Sequence, residues 1–177
     1  SIVEFEAALQ QLSGDPTDSA RRAAVLSEAE TLAAKFNITS GSLSSVGEGL
    51  RFNAVANVAD MNTYGAELAR VNLRLARAGF GSNDQASLLD QRDNLLEKMS
   101  AFASISTTFA SDGTVAVSVG SPATSFVSGG NVGTMTSTTA ANGTMGFAID
   151  GAAISPGAGS LAGAALALDD LAAIAIR

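Results

Sequence analysis

Charge is spread along this chain so unevenly that it fixes the order of secondary structure. Up to Lys98 nearly every third or fourth position can carry a charge, whereas between Met99 and Leu168 only Asp112 and Asp150 do. The first stretch can keep one wet face at helical period. The second is rich in Gly and Thr and is punctuated by Asp112-Gly113, Gly129-Gly130-Asn131, Asn142-Gly143 and Asp150-Gly151, so it reads as short strands joined by tight turns. The expected class is α+β: an antiparallel helical bundle over residues 1–103, a small antiparallel β-hairpin region over 104–158, and a C-terminal helix over 159–177 packing back on the bundle.

Within the first stretch, a short amphipathic piece (Val3, Ala7, Leu9, Leu12) ends at Gly14. Asp15-Pro16-Thr17-Asp18 then offers a capping oxygen, a proline for the first helical position and an acid for the first turn, so a helix is expected to start there. Its stripe Val25, Ala29, Leu32, Ala33, Phe36 keeps one face toward a core, and Gly41, Gly47 and Gly49 are expected to weaken or break it. From Met61 the spacing of Met61, Tyr64, Leu68, Val71, Leu75 and Ala78 is a heptad seam, the chain's single one on this reading, predicting helix against helix. Gly79 and Gly81 end it. Ser82 and Gln85 supply a capping box for the next helix, whose stripe is Leu88, Leu89, Arg92, Leu95, Leu96, Met99, Phe102, and the short connection makes the pair antiparallel. The last segment places Leu161, Ala164, Ala165, Leu168, Leu171 and Ala175 on one small-residue face.

The first hairpin admits a register argument. A two-residue loop at Asp112-Gly113 would set Phe109 opposite Ala116 and scatter the apolar groups over both faces. A three-residue loop Ser111-Asp112-Gly113 with a left-handed Gly113 pairs Phe109 with Val115, Thr107 with Val117 and Ile105 with Val119, so the large apolar groups share one side. The bulged loop is therefore predicted. Residues 113–119 (GTVAVSV) are echoed by 143–149 (GTMGFAI), a similarity that shared turn chemistry explains without a duplication.

Composition removes most catalytic chemistry. With no Cys and no His there is no disulfide, no thiolate or imidazole metal site and no Cys–His or Ser–His nucleophile pair. The net charge of -7 repels a phosphate backbone, so nucleic acid is not an expected partner. The uncharged stretch 151–168 contains Pro156-Gly157 and runs into Asp169-Asp170, so no membrane insertion is expected. The opening Ser-Ile-Val-Glu has no Sec-type signal, and the chain reads as an excised fragment.

Asp90, Asp93 and Glu97 lie on one helical face, where a hard cation or an acid/base pair can be imagined, yet no apolar neighbour shields them and a solvated acidic face is the better account. Arg70, Arg74 and Arg77 form a basic stripe that could grip a carboxylate, or simply a solvated face near a helix C-terminus. A Ser–Lys nucleophile would need Lys35 or Lys98, and neither sits in a recognisable motif. None of the turn glycines has phosphate-loop spacing. No catalytic, cofactor or metal site is expected.

The run Leu88-Leu89-Asp90-Gln91-Arg92-Asp93-Asn94-Leu95-Leu96-Glu97-Lys98-Met99-Ser100, followed by the Ile105 strand and Asp112-Gly113-Thr114-Val115, resembles the bacterial flagellar hook-associated proteins of the hook-filament junction, the FlgK family. Phe5 to Gln10, Pro16 to Leu26, Leu32 to Asn37, Ala69 to Asn72 and Gly159 to Gly163 carry the same resemblance, which is diffuse over 121–158. It implies a structural, non-enzymatic subunit, exported by the flagellar type III pathway to the extracellular axial tube. The implied partners are other copies of itself, the hook protein, adjacent hook-associated proteins and an export chaperone. The alternative is a ligand- or surface-binding module of another secreted appendage or adhesin, using the Thr-rich strands. Two departures stand out: the three glycines within an expected long helix, and the lack of the terminal heptads by which axial proteins polymerise. The fragment is accordingly expected to be monomeric in dilute solution.

Overall fold

The structure, a computed structural model, describes residues 1–78 and 81–175. Its elements are α1 (Ile2–Gly14), α2 (Ser19–Leu75), α3 (Asn83–Ser100), β1 (Ile105–Phe109), β2 (Val115–Val119), β3 (Thr124–Ser128), β4 (Asn131–Val132), β5 (Met135–Thr139), β6 (Met145–Ile149), β7 (Ala152–Ile154) and α4 (Gly159–Ala175). This is the expected α+β order of helices, strands and a last helix. The chain forms two compact units, Ser1–Val46 and Gly47–Arg177. The three segments distinguished by composition are all represented in the second.

The first unit holds α1 and the start of α2. Ser1 and Glu4 form a capping box at the head of α1, and the Asp15 N–H closes its other end by donating to Leu12 O at 3.1 Å. The expected start of α2 at Pro16 is corrected: Asp15 spends its carboxylate on Thr17, 3.3 Å from the amide and 2.9 Å from the hydroxyl. Asp18 caps the helix instead, accepting from Ala20 N at 2.8 Å and Arg21 N at 3.3 Å. Half-buried Phe5, Ala8 and Leu12 of α1 share this unit with half-buried Val25, Ala29 and Leu32 of α2. Ala33 and Phe36, expected to face a core, are exposed.

The expected break at Gly41, Gly47 and Gly49 does not occur: α2 is one helix of 57 residues. Each glycine costs about 1 kcal/mol of helix propensity, but only proline removes a backbone donor and clashes with the preceding turn, and no proline lies between residues 19 and 75.

In the second unit the seam is buried as predicted, with Met61, Leu68, Val71 and Leu75 at the centre of the core. The antiparallel helix pair also forms. Tyr64 stacks on Phe102 at 6.1 Å, and Ser82 caps α3 by accepting from Gln85 N at 3.1 Å. The Gln85 side chain returns its bond to Gly81 N at 2.7 Å rather than to Ser82. Gly79, the other expected helix stop, lies outside the described residues. The seam is more than helix against helix, however, because the same face of α2 also receives the sheets. A Cβ at Gly65 would stand 2.8 Å from the Phe126 ring and 2.9 Å from Val132, so only glycine lets β3 and β4 approach this closely.

The strands form two antiparallel sheets, in the orders β1-β2-β3-β4 and β5-β6-β7, joined by a bridge between Ser121 and Ser155. The first hairpin has the predicted register, Ile105 with Val119, Thr107 with Val117 and Phe109 with Val115, and Gly113 is left-handed at φ 87°. The echo is structural: β5 and β6 pair Met135 with Ile149, Ser137 with Phe147 and Thr139 with Met145, around a loop in which Gly143 has φ 86°. Helix α4 buries Leu161, Ala164, Leu168 and Ala172. Its first turn donates from Ser160 N to Ala101 O and from Leu161 N to Phe102 O, both at 3.0 Å.

Candidate assembly surfaces

Helix α2 holds the hairpins through side chains that sequence reading passed over. Asn72, almost fully buried, donates to Val115 O at 2.8 Å and Gly129 O at 3.0 Å and accepts from Val115 N at 3.0 Å. Asn62 grips Met135 in the same two-way manner, donating to its carbonyl at 2.9 Å and accepting from its amide at 2.8 Å. Each hairpin loop is also caught by an arginine: Arg92 donates to Gly113 O at 2.7 Å and Arg51 to Gly143 O at 3.3 Å. A primary amide has the donor and acceptor needed to replace a strand neighbour at a backbone unit, which an apolar residue would leave unpaired. The available signal was that Asn72 sits between Leu68 and Leu75 at seam spacing.

The sequence-singled charges are all on the surface. Asp90, Asp93 and Glu97 are exposed along α3, and Asp93 pairs with Arg92 at 2.7 Å. Arg70, Arg74 and Arg77 are exposed too. The structure brings Arg70 and Arg74 of α2 together with Asp90 and Lys98 of α3 along an open groove of about 510 Å³, from whose lining Asp93, Glu97 and Arg77 are absent. Lys98 also lies 5.5 Å from the centre of the Tyr64 ring, and Lys35 is exposed on α2. Among the described residues no three acidic side chains converge as a cation would require, and no helix is long and apolar enough to cross a membrane.

The Asp112 carboxyl is held below its ordinary range, chiefly by the amide and hydroxyl of Thr114. It is a surface group that stabilises a turn, without the burial that would raise a pKa toward neutrality.

Uncovered apolar helix is the larger feature. Val25, Ala29, Leu32, Phe36, Thr39, Leu43, Val46 and Leu50 repeat at steps of four and three, a second heptad seam that the single-seam reading did not follow beyond Phe36. From residue 33 to residue 46 every position of α2 is exposed, including Phe36 at 59%, Ile38 at 69% and Val46 at 55%. Gly41, Ser42, Ser44 and Ser45 are poor helix formers, so this stretch draws little stability from propensity and needs tertiary contact.

In the second unit two small antiparallel sheets dock on helix α2, which defines an α+β domain whose candidate sites are faces. A family model described as the flagellar hook-associated protein FlgK helical domain matches residues 1–173, and the chain belongs to that family. It is 29% identical over 119 residues to flagellar hook-associated protein 1 of Salmonella typhimurium, a match covering 64% of this chain and 21% of the relative. It is 28% identical over 109 residues to the protein of the same name from Bacillus subtilis, covering 62% and 22%. The chain thus spans about a fifth of the length of these relatives. In fold it is similar to the flagellar hook junction protein FlgK from Burkholderia pseudomallei, with a TM-score of 0.77, 22% identity, and coverage of 94% of this chain and 32% of that one.

Proposed function

We propose that this chain is part of a structural, non-catalytic subunit of the bacterial flagellum, built into the axial tube at the hook-filament junction. The observation that carries the reading is the bare heptad seam at Phe36, Thr39, Leu43 and Val46, a helical face made for burial against another helix. Its occupants would be axial segments, with other copies, the hook protein and adjacent hook-associated proteins as neighbours. Export by the flagellar type III pathway, with an export chaperone covering apolar helix on the way, belongs to the same reading and places the protein outside the cell. Alone and dilute, the fragment stays monomeric: the exposed seam is under two heptads long, and a net charge of -7 opposes pairing.

The test is complementation of a strain lacking the full-length gene. The unaltered gene is expected to restore filaments and motility, while Phe36→Asp with Leu43→Asp should leave a folded, exported subunit that does not incorporate. Both positions are exposed, so loss of folding is not the expected route. Filaments that form normally without the gene would sink the reading.

A further inference from the structure

The groove between α2 and α3 and the outer face of α4 carry opposite charge beside apolar residues. Val71 and Leu95, both 6% exposed, form the apolar floor of the groove; Arg70, Arg74 and Lys98 rise beside them, with Glu67 and Asp90 leaving an excess of positive charge. Among the described residues no salt bridge engages Arg70, Arg74 or Lys98. Helix α4 presents the reverse pattern. With Leu161, Ala164, Leu168 and Ala172 turned inward, Leu166 (65% exposed), Asp170 and Ile174 (58% exposed) recur every four residues along its outer side, with Asp169 next to them. The order is apolar, acidic, apolar.

We infer that α4 of one copy docks in the α2–α3 groove of the next, with Asp169 and Asp170 meeting Arg70 and Arg74 while Leu166 and Ile174 cover Val71 and Leu95. The inference rests on the structural-subunit reading and names one of its contacts. The groove cannot take the α4 of its own chain by a simple swing, because the first turn of that helix is tied to Ala101 and Phe102 and Leu171 packs on Gly47. The two surfaces are different patches of one molecule, so the contact is heterologous and repeats from copy to copy, the geometry that generates rings or helical tubes. Arginine suits the role because its planar fork holds a carboxylate with two parallel bonds. One helix face buries little area, so the contact fixes register inside an assembly, where the effective concentration is high, and dissociates in dilute solution.

Because the chain contains no cysteine, paired cysteines report the contact without competition from this region. In the full-length subunit assembled on cells, Leu166→Cys with Gln91→Cys is treated with a short bis-maleimide. A ladder of dimers, trimers and higher species is expected from the pair, and none from either variant alone. Adding Asp170→Arg should lower the ladder about tenfold, since a like charge then faces Arg74. Adding Arg74→Asp to that chain should restore it. Incorporated subunits that give no ladder, a ladder indifferent to Asp170→Arg, or dimers from a single cysteine would each overturn the inference while leaving the structural reading standing. Failure of the unaltered subunit to enter the axial structure would overturn both.

Discussion

Ile105, Phe109, Val115 and Val119 of the first hairpin stand where Met135, Thr139, Met145 and Ile149 stand in the second, yet different elements hold the two in place. Their loops match in detail. Ala110 N donates to Thr114 O at 2.9 Å and Gly113 N to Ala110 O at 3.0 Å, and the Ala140, Gly143 and Thr144 bonds are both 2.9 Å. In β2 and β6 the burial alternates identically. The attachments differ. Arg92 reaches the first loop from α3 and lies 4.7 Å from the centre of the Phe109 ring, whereas Arg51 reaches the second from α2, and Thr139 gives it no ring to cover. Asn72 binds at the loop end of β2, and Asn62 at the open end of β5. Hairpin geometry is thus a local property of five-residue turns and alternating strands, while docking depends on which helix side chain happens to face a free backbone unit.

The comparison is tested most severely in the core. Phe147, 4% exposed in β6, and Val117, 1% exposed in β2, occupy matching central positions. Phe147→Ala should cost about 3–5 kcal/mol and Val117→Ala about 2 kcal/mol in denaturant unfolding, because the aromatic leaves the larger cavity. Equal losses would mean that the sites collapse around the two truncations to very different degrees. The anchors come next. Asn72→Ala removes the side-chain bonds to three backbone groups, for an expected cost of about 2–3 kcal/mol, against about 1 kcal/mol for the half-exposed Asn62→Ala. A reversed order would show that the first hairpin is held mainly by Arg92.

These differences explain what was and was not legible in the chain. Register in β1–β2 followed from the alternation of Ile105, Val115, Val117 and Val119 with polar neighbours, and α3 followed from Ser82, Gln85 and its leucine stripe. Both are short-range patterns. The unbroken α2 is not legible locally, because Gly41, Gly47 and Gly49 are costs rather than stops, spread over a helix that tertiary contact supports at residue 47 and beyond. Asn62, Asn72 and Gly65 look like ordinary polar or weak positions in a helix, since their partners are dozens of residues away. No local pattern encodes that. The second seam is legible in the spacing alone, since the steps of four and three that reach Phe36 continue through Leu43 and Val46.

Smaller effects should separate the loops. Gly113→Ala and Gly143→Ala both force a left-handed φ on alanine, costing about 1 kcal/mol each. A methyl at Gly113 would in addition meet Leu89 Cδ2 at 2.9 Å, while at Gly143 the nearest atom is the flexible Arg51 guanidinium at 3.3 Å. Thermal melts should therefore rank Gly113→Ala as the more damaging. If they do not, Leu89 yields as easily as Arg51.

The finest distinction is one of protonation. Asp112 accepts from Thr114 N at 2.9 Å and from its hydroxyl at 2.7 Å, and those bonds, the amide first, hold its carboxyl below the ordinary value of 3.8. Asn142 makes the matching bonds to Thr144 at 3.3 and 2.8 Å with a side chain that does not titrate. A carboxyl whose pKa is lower folded than unfolded stabilises the fold fully above the unfolded value, and that contribution is lost as pH falls through the folded one. Acidification should therefore loosen the first loop and leave the second unchanged. Asp112 is fully exposed, so the effect is local and will not show as a shift of the whole unfolding transition. It should appear in the Thr114 amide resonance, moving with a midpoint below 3.8 while the Thr144 amide stays still. Asp112→Asn should make the two loops respond alike. A Thr114 amide that titrates at the ordinary carboxyl value, or a Thr144 amide that moves with it, would mean that Asp112 gains nothing from its turn and that the two loops are equivalent after all.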